Sequence, residues 1–139
     1  MKKEILKDFI QRVWNEGDIS AISEYLADSY HIMHDPGDPW DGMTLDVAGF
    51  QNRVLISRAP VPDQCFEIQS LFENEDNVCM TWLWKGTHLG EIAGFPSSGK
   101  TLHMSGATVY FFENNRISGH WQVADRLSIF QQLQANPSK

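Results

Sequence analysis

Near its midpoint the spacing of apolar residues along this chain changes, and that change constrains the fold more than any other feature. From Lys2 to Glu16, Ile5, Leu6, Phe9, Ile10, Val13 and Trp14 recur at steps of three and four, one face of an amphipathic helix. Asn15-Glu16-Gly17-Asp18 then reads as a stop and a restart. Gly17 suits the left-handed position that closes a helix, and Asp18 can cap the next one. A short second helix carries Ile19, Ile22, Tyr25 and Leu26. The segment from Asp28 to Gly42 is expected to be irregular, because Pro36, Gly37, Pro39 and Gly42 break any period. A third helix is expected from Thr44 to about Arg58, burying Leu45, Val47, Phe50, Val54 and Leu55, with Pro60 and Pro62 ending it.

Beyond Pro62 the period is two. CFEIQSLF, VCMTWLWKGTHLG, TLHMSGATVYFF and RISGHWQVAD are strand candidates rich in aromatic and β-branched residues. The polar turns Asn74–Asn77 and Glu113–Arg116 imply antiparallel hairpins, and Gly94–Lys100 is a longer loop. A last helix, Arg126 to Leu133, carries Leu127, Phe130 and Leu133. Helices followed by a meander of strands predict an α+β domain, with helices on one face of a curved antiparallel sheet. Residues 1–134 form one domain and 135–139 a polar tail.

Strand parity sharpens this picture. Val78, Met80, Trp82, Trp84 and His88 share one face, and Cys79, Thr81, Leu83 and Lys85 the other. In the last strand, Ile117, Trp121 and Val123 are expected opposite Ser118, His120 and Gln122. Apolar residues thus occupy both faces while helices cover only one, so a homodimer is expected through the other.

The net charge of −7 argues against a nucleic-acid partner and against adsorption to anionic membranes. MKKEILKDFI mixes charges into its apolar residues, unlike a signal peptide, and no apolar run approaches the roughly 20 residues of a membrane span. Cys65 and Cys79 form no CxxC pair and read as buried, reduced thiols, so the expected compartment is the cytoplasm.

No GxSxG elbow, P-loop or GxGxxG is present, which leaves acyl-enzyme and nucleotide chemistry without support. The five histidines, His31, His34, His88, His103 and His120, lack metal-site spacing, so no metal is expected. His34, in His34-Asp35-Pro36, is either an imidazole at a pocket mouth or a loop cap. His88 could end an aromatic wall begun by Trp82 and Trp84, although tryptophans so placed also serve as core. His120 and Gln122 share a parity opposite Trp121 and Asp125. A bulge, or the turn near Ala124, could bring Asp125 back to the same cavity; its competing role is to cap the last helix.

Several of these pieces together resemble a known family. Gly86-Thr87-His88-Leu89-Gly90-Glu91, Gly94-Phe95-Pro96-Ser97-Ser98-Gly99-Lys100, and Gly119-His120-Trp121 with Asp125 and Gln131-Gln132-Leu133 are similar to motifs of the SnoaL-like polyketide cyclases, or ester cyclases. The order of elements, from Trp14-Asn15-Glu16-Gly17-Asp18 onward, resembles the nuclear-transport-factor-2-like fold. The resemblance implies a cone-shaped α+β barrel around a mostly apolar pocket for a hydrophobic small molecule. It also implies ring closure by intramolecular aldol condensation without metal or organic cofactor. There a carboxylate acts as acid and base, a role worth about 10²–10⁴ in rate. That carboxylate falls on Gln122, and an assisting histidine falls on Thr108. His34, His88 and His120 match family histidines, and Asp125 matches a second acidic position.

Three functions follow. The first is a cofactor-free enzyme, a divergent cyclase or a catalyst of related isomerase or dehydratase chemistry, with Asp125 or His34 as base, His120 as a further catalytic candidate, and Gln122, His88, Trp82, Trp84, Thr108 and Tyr110 holding the substrate. The second is a catalytically inert small-molecule-binding protein. The third is a dimeric structural module with an incidental cavity.

Overall fold

The computed structural model describes residues 1–137. Helix α1 (Lys2–Phe9) runs without a break into a π-helical turn, Ile10–Asn15, so the expected first helix changes its winding midway. Leu6, Phe9, Ile10, Val13 and Trp14 are buried along it. Each such side chain contributes about 2 kcal/mol relative to exposure. Asn15 stitches the end of this turn to the sheet, since its Nδ2 donates to the Phe66 carbonyl at 3.0 Å and its Oδ1 accepts from Phe66 N–H at 2.7 Å. A 3₁₀ turn, Ile19–Ala21, and the short α2 (Ile22–Tyr25) follow. Asp18 stands at the N-cap without a side-chain capping bond; its Oδ1 accepts instead from the Ser20 hydroxyl.

Strand β1 (Leu26–His34) occupies much of the segment expected to be irregular. Only Leu26, Tyr30 and Ile32 are buried in it, and its pairing is interrupted twice. A sparse apolar pattern ahead of a Pro- and Gly-rich stretch gives little strand signal. The short β2 (Thr44–Leu45) pairs with β1, and α3 (Val47–Arg58) starts only after it, capped by Asp46, whose Oδ1 accepts from Gly49 N–H at 2.7 Å. Phe50 and Val54 are buried on α3 as expected; Leu55 is exposed, and Arg53 is buried in the same row as Phe50.

The remaining strands are β3 (Cys65–Glu73), β4 (Asn77–Thr87), β5 (Thr101–Glu113) and β6 (Arg116–Ala124). They form a curved six-stranded sheet in the order β2-β1-β6-β5-β4-β3. The three late hairpin partners are antiparallel as expected, whereas β1 joins β6 in parallel. Asn114 and Asn115 have φ of 50° and 63°, the left-handed pair that a two-residue hairpin turn requires. Helices cover the inner face of the sheet, making the domain α+β. Helix α4 (Arg126–Ala135) closes one end, with Leu133 buried and Leu127 exposed. Ala135 of the expected tail thus belongs to α4, and residues 138–139 lie outside the described residues.

One irregularity resets the expected parity of β6. Phe111 pairs with Gly119 but Phe112 with Ile117, which leaves Ser118 as an extra residue. Ile117 and His120 therefore both face inward, while Trp121 and Val123 face out. Gly119 permits the close approach of β1: a Cβ there would collide with the His31 carbonyl oxygen. Gly106 likewise leaves room for the Trp82 indole lying across it. Cys65 and Cys79 are free and half-buried. No helix among the described residues is long and apolar enough to cross a membrane.

Candidate active site

The inner face of β6, the end of β1 and one side of α3 meet around a carboxylate that sequence reading passed over. Asp35 follows β1 and precedes Pro36, which favours an extended backbone and carries the chain one residue further along the strand direction. The loop behind it is tied to itself: Asp35 N–H donates to Asp41 Oδ1 at 2.7 Å, and Gly42 N–H donates to the Ile32 carbonyl at 2.9 Å. Asp35 is fully buried. Its Oδ2 accepts from His120 Nε2 at 2.8 Å and from Arg53 Nη2 at 3.4 Å, and its Oδ1 from Arg126 Nη2 at 3.0 Å. Gln122 Nε2 lies 3.1 and 3.2 Å from the two oxygens. Burial alone would raise the Asp35 pKa. The His120 and Arg126 hydrogen bonds and charges outweigh it and hold the group below its ordinary value, so it stays ionised.

His120 is the other half of the arrangement. Its Nδ1 lies 2.5 Å from the Tyr30 hydroxyl, and both residues are buried. Burial drives the Tyr30 phenol well above its ordinary pKa, so the hydroxyl keeps its proton and donates it to Nδ1. Nε2 then carries the imidazole hydrogen and donates to Asp35, an assignment of tautomer made by the partners. Burial also lowers the His120 pKa despite the opposing pull of Asp35, which leaves the ring neutral near pH 7.

Gln122 is oriented from the far side. Trp82 Nε1 donates to Thr108 Oγ1 at 2.9 Å, so the Thr108 hydrogen goes to Gln122 Oε1 at 2.6 Å. The amide nitrogen must then face Asp35. Four residues from β4, β5, β6 and the β1 loop form one chain of donors ending on a single carboxylate.

These groups border a cavity of about 140 Å³, lined by Tyr30, Arg53, Trp82, Trp84, Tyr110 and His120 among others. Arg53 is fixed between aromatic rings, its guanidinium carbon 5.3 Å from the Trp14 ring centre and 5.5 Å from that of Phe50. Its Nη2 also reaches Asp38 Oδ2 at 3.0 Å. Arg126, at the start of α4, also lines the cavity with a partly exposed side chain and donates through Nε to the Pro36 carbonyl at 2.9 Å. Among the described residues no group of three or more His, Cys, Asp or Glu side chains is placed to hold a metal ion.

The structure brings together some expected site residues and separates others. Trp82, Trp84, Tyr110, His120 and Gln122 line the cavity, and Thr108 stands just behind Gln122. His34 lies apart from it, stacked on Trp121 with ring centres 4.5 Å apart. His88 is buried in its own loop, with Nδ1 3.0 Å from the Ser98 hydroxyl. Asp125 is exposed and caps α4, accepting from Ser128 N–H at 3.0 Å; the Ser118 bulge does not bring it inward, because it lies upstream and places His120 and Gln122 there. The missed members are Asp35, Arg53, Tyr30 and Arg126. Arg53 left a signal, a charged residue three positions after Phe50 on the apolar side of a helix. Asp35 left only its place beside His34.

Comparison with known proteins gives the family and the fold. The family of SnoaL-like polyketide cyclases matches residues 4–133. A crystal structure from Acidithiobacillus ferrooxidans, of a protein assigned as a polyketide cyclase, is 56% identical with a TM-score of 0.94, covering 98% of this chain and 96% of that one. IdmH of Streptomyces antibioticus, also assigned as a polyketide cyclase, is 24% identical with a TM-score of 0.82 over 96% of this chain and 99% of its own. A SnoaL-like polyketide cyclase of Agrobacterium tumefaciens, at 19% identity and a TM-score of 0.76, covers 96% of this chain and 98% of its own and shares the fold. A search of curated proteins gives no match. The chain belongs to the SnoaL-like polyketide cyclase family.

Proposed function

We propose that this protein catalyses cofactor-free acid/base chemistry on a hydrophobic carbonyl compound, an intramolecular aldol-type ring closure, with His120 and Asp35 as its proton-transfer pair. Gln122 stands where the resemblance puts the cyclases' carboxylate, and a carboxamide cannot exchange a proton near neutral pH. The observation that carries the reading is the imidazole held neutral at the cavity wall between the Tyr30 hydroxyl and Asp35. Asp125 and His34, the bases suggested by sequence, lie outside the cavity and take no part in this proposal.

In the proposed reaction the substrate displaces the Tyr30 hydroxyl from His120 Nδ1. That nitrogen removes a proton from the carbon beside a carbonyl, and the electron pair remains as an enolate. The enolate carbon attacks the second carbonyl, forming the new carbon–carbon bond. The resulting alkoxide takes the proton back from the imidazolium. Asp35, kept ionised by its arginines, stabilises that imidazolium and fixes the ring without itself becoming protonated. The mostly apolar cavity walls limit the enolate's contact with bulk water. An inert binding role is not favoured, since binding alone has no use for this pairing.

Hydrogen–deuterium exchange tests the first step. Methyl benzoylacetate in D₂O should lose its methylene proton signal faster with the protein than in buffer, and His120→Ala should reduce that excess about 100-fold. The excess should fall as pH drops below about 6.5, the ordinary histidine value, because protonation removes the base. Full exchange activity in His120→Ala would sink the assignment.

We also propose a homodimer through the outer sheet face, supported by exposed Leu83, Trp121 and Val123. Sedimentation giving only a 15.9 kDa species at micromolar concentration would remove it.

A further inference from the structure

We propose that the cavity takes a neutral, single-ring carbonyl compound and not a fused polycyclic one, with Tyr110 and Arg53 as the donors that receive its carbonyl oxygen. This rests on the cavity being the active site, but it is argued from size, donors and charge balance, and not from His120 acting as a base.

Size comes first. The cavity measures about 140 Å³. A protein cavity of about 150 Å³ is the size that accommodates benzene, whereas pockets for drug-sized ligands start near 300 Å³. Trp82, Trp84, Phe66 and Met104 give it apolar walls suited to one flat ring. On the Arg126 side, enlarging it would disturb an arginine held by both the Pro36 carbonyl and Asp35 Oδ1. A tricyclic ligand would have to break those bonds.

The donors set the polarity. Tyr110 is a buried residue lining the cavity, which puts a phenol on its wall. Burial raises its pKa, so it remains a phenol and can only be a neutral donor or acceptor. Arg53 spends Nη2 on Asp35 and Asp38, while its buried Nε–H has no partner. Aromatic rings pin the guanidinium, so it cannot leave to satisfy itself in water. That buried N–H left unpaired is costly and calls for an acceptor, and the Tyr110 phenol on the same wall can donate beside it.

Charge decides between a carbonyl and a carboxylate. Arg53 and Arg126 face Asp35 and Asp38 in ion pairs of 3.0 to 3.9 Å. The two positive charges are already matched by two negative ones, with His120 neutral. A carboxylate would enter with no cation to balance it, whereas a ketone oxygen needs only donors. As that oxygen gains charge in an enolate, the same donors strengthen their hold, which is the condition for stabilising a transition state.

Four ligands and one variant test this. Acetophenone, benzoate, 2-acetonaphthone and 2-acetylanthracene are titrated into ¹⁵N-labelled protein, with the indole N–H signals of Trp82 and Trp84 as the readout. Acetophenone should saturate both signals. Benzoate, its near-isosteric anion, should bind at least tenfold more weakly, 2-acetonaphthone should be weakened likewise, and 2-acetylanthracene should leave the signals unmoved. Tyr110→Phe should weaken acetophenone about tenfold with an unchanged melting temperature. The proposal is overturned if acetophenone fails to saturate at millimolar concentration, if 2-acetylanthracene or benzoate binds as well, or if Tyr110→Phe makes no difference. These readings follow binding, so they stand apart from deuterium exchange. Exchange with an anthracene-sized ligand would defeat the size argument and leave the His120 chemistry intact, and the reverse pattern would do the opposite.

Discussion

The two faces of β6 are built from neighbouring residues and obey different rules. Inward, His120 and Gln122 are joined through Asp35 to two arginines and, through Thr108, to Trp82. Outward, Trp121 and Val123 stand 39% and 45% exposed, with His34 stacked on the indole. On the inner face a side chain is fixed by what its partner needs, since a buried donor or charge that loses its complement is penalised. On the outer face a side chain is limited mainly by strand preference and by whatever surface meets it. The candidate site lies where substitution is most constrained.

Breaking the inner side should give the largest effect. Asp35→Asn removes the one charge shared by His120, Arg53 and Arg126 and should cost about 3 kcal/mol in urea unfolding. A loss below about 1 kcal/mol would mean that Asp38 alone suffices for the arginines.

Acid should expose the same asymmetry more gently. The lowered Asp35 pKa contributes stability that is present above its unfolded value of 3.8 and is lost as pH falls through the folded value. The lowered His120 pKa acts in the same direction in a higher window: its contribution is complete above the ordinary 6.5 and declines as pH falls from there toward the folded value. Urea midpoints should therefore fall between pH 7 and 5 and again below 4. Replacing His120 with Gln should flatten the upper step; an unaltered step would place its origin in another histidine.

The smallest effect belongs outside. Val123→Thr should change stability by about 0.5 kcal/mol or less in dilute protein. A larger loss that depends on protein concentration would show that a partner covers this face.

Which features were legible in sequence follows the same division. The β3–β4, β4–β5 and β5–β6 pairings were readable because each strand is a period-two run bounded by polar turns or loops, and parity correctly grouped Val78, Met80, Trp82 and Trp84. Strand β1 was hidden because its partner, β6, lies at the far end of the chain, and no local signal announces a parallel pairing over that distance. The site was half visible. Tyr110, His120 and Gln122 stood out as polar groups on aromatic strands, but Asp35 acquires meaning only when His120, 85 positions away in sequence, comes to 2.8 Å. Asp125 and His34 attracted attention by residue type, and the helix cap and the outer stack absorbed them.

The extra residue at Ser118 has a consequence for how such a site could be gained or lost. It sets the phase of everything after it on β6: were Ser118 paired as an ordinary strand residue, Trp121 and Val123 would share the inner face with Ile117, and His120 and Gln122 would point out. The imidazole, the carboxamide and their carboxylate would all still be encoded, and none of them would meet. Here the arrangement around Asp35 depends on how one residue is counted into the ladder as much as on the letters themselves. In a lineage sharing this scaffold, loss of the bulge by pairing Ser118 into the ladder would take the arrangement apart in one step while every motif remained readable.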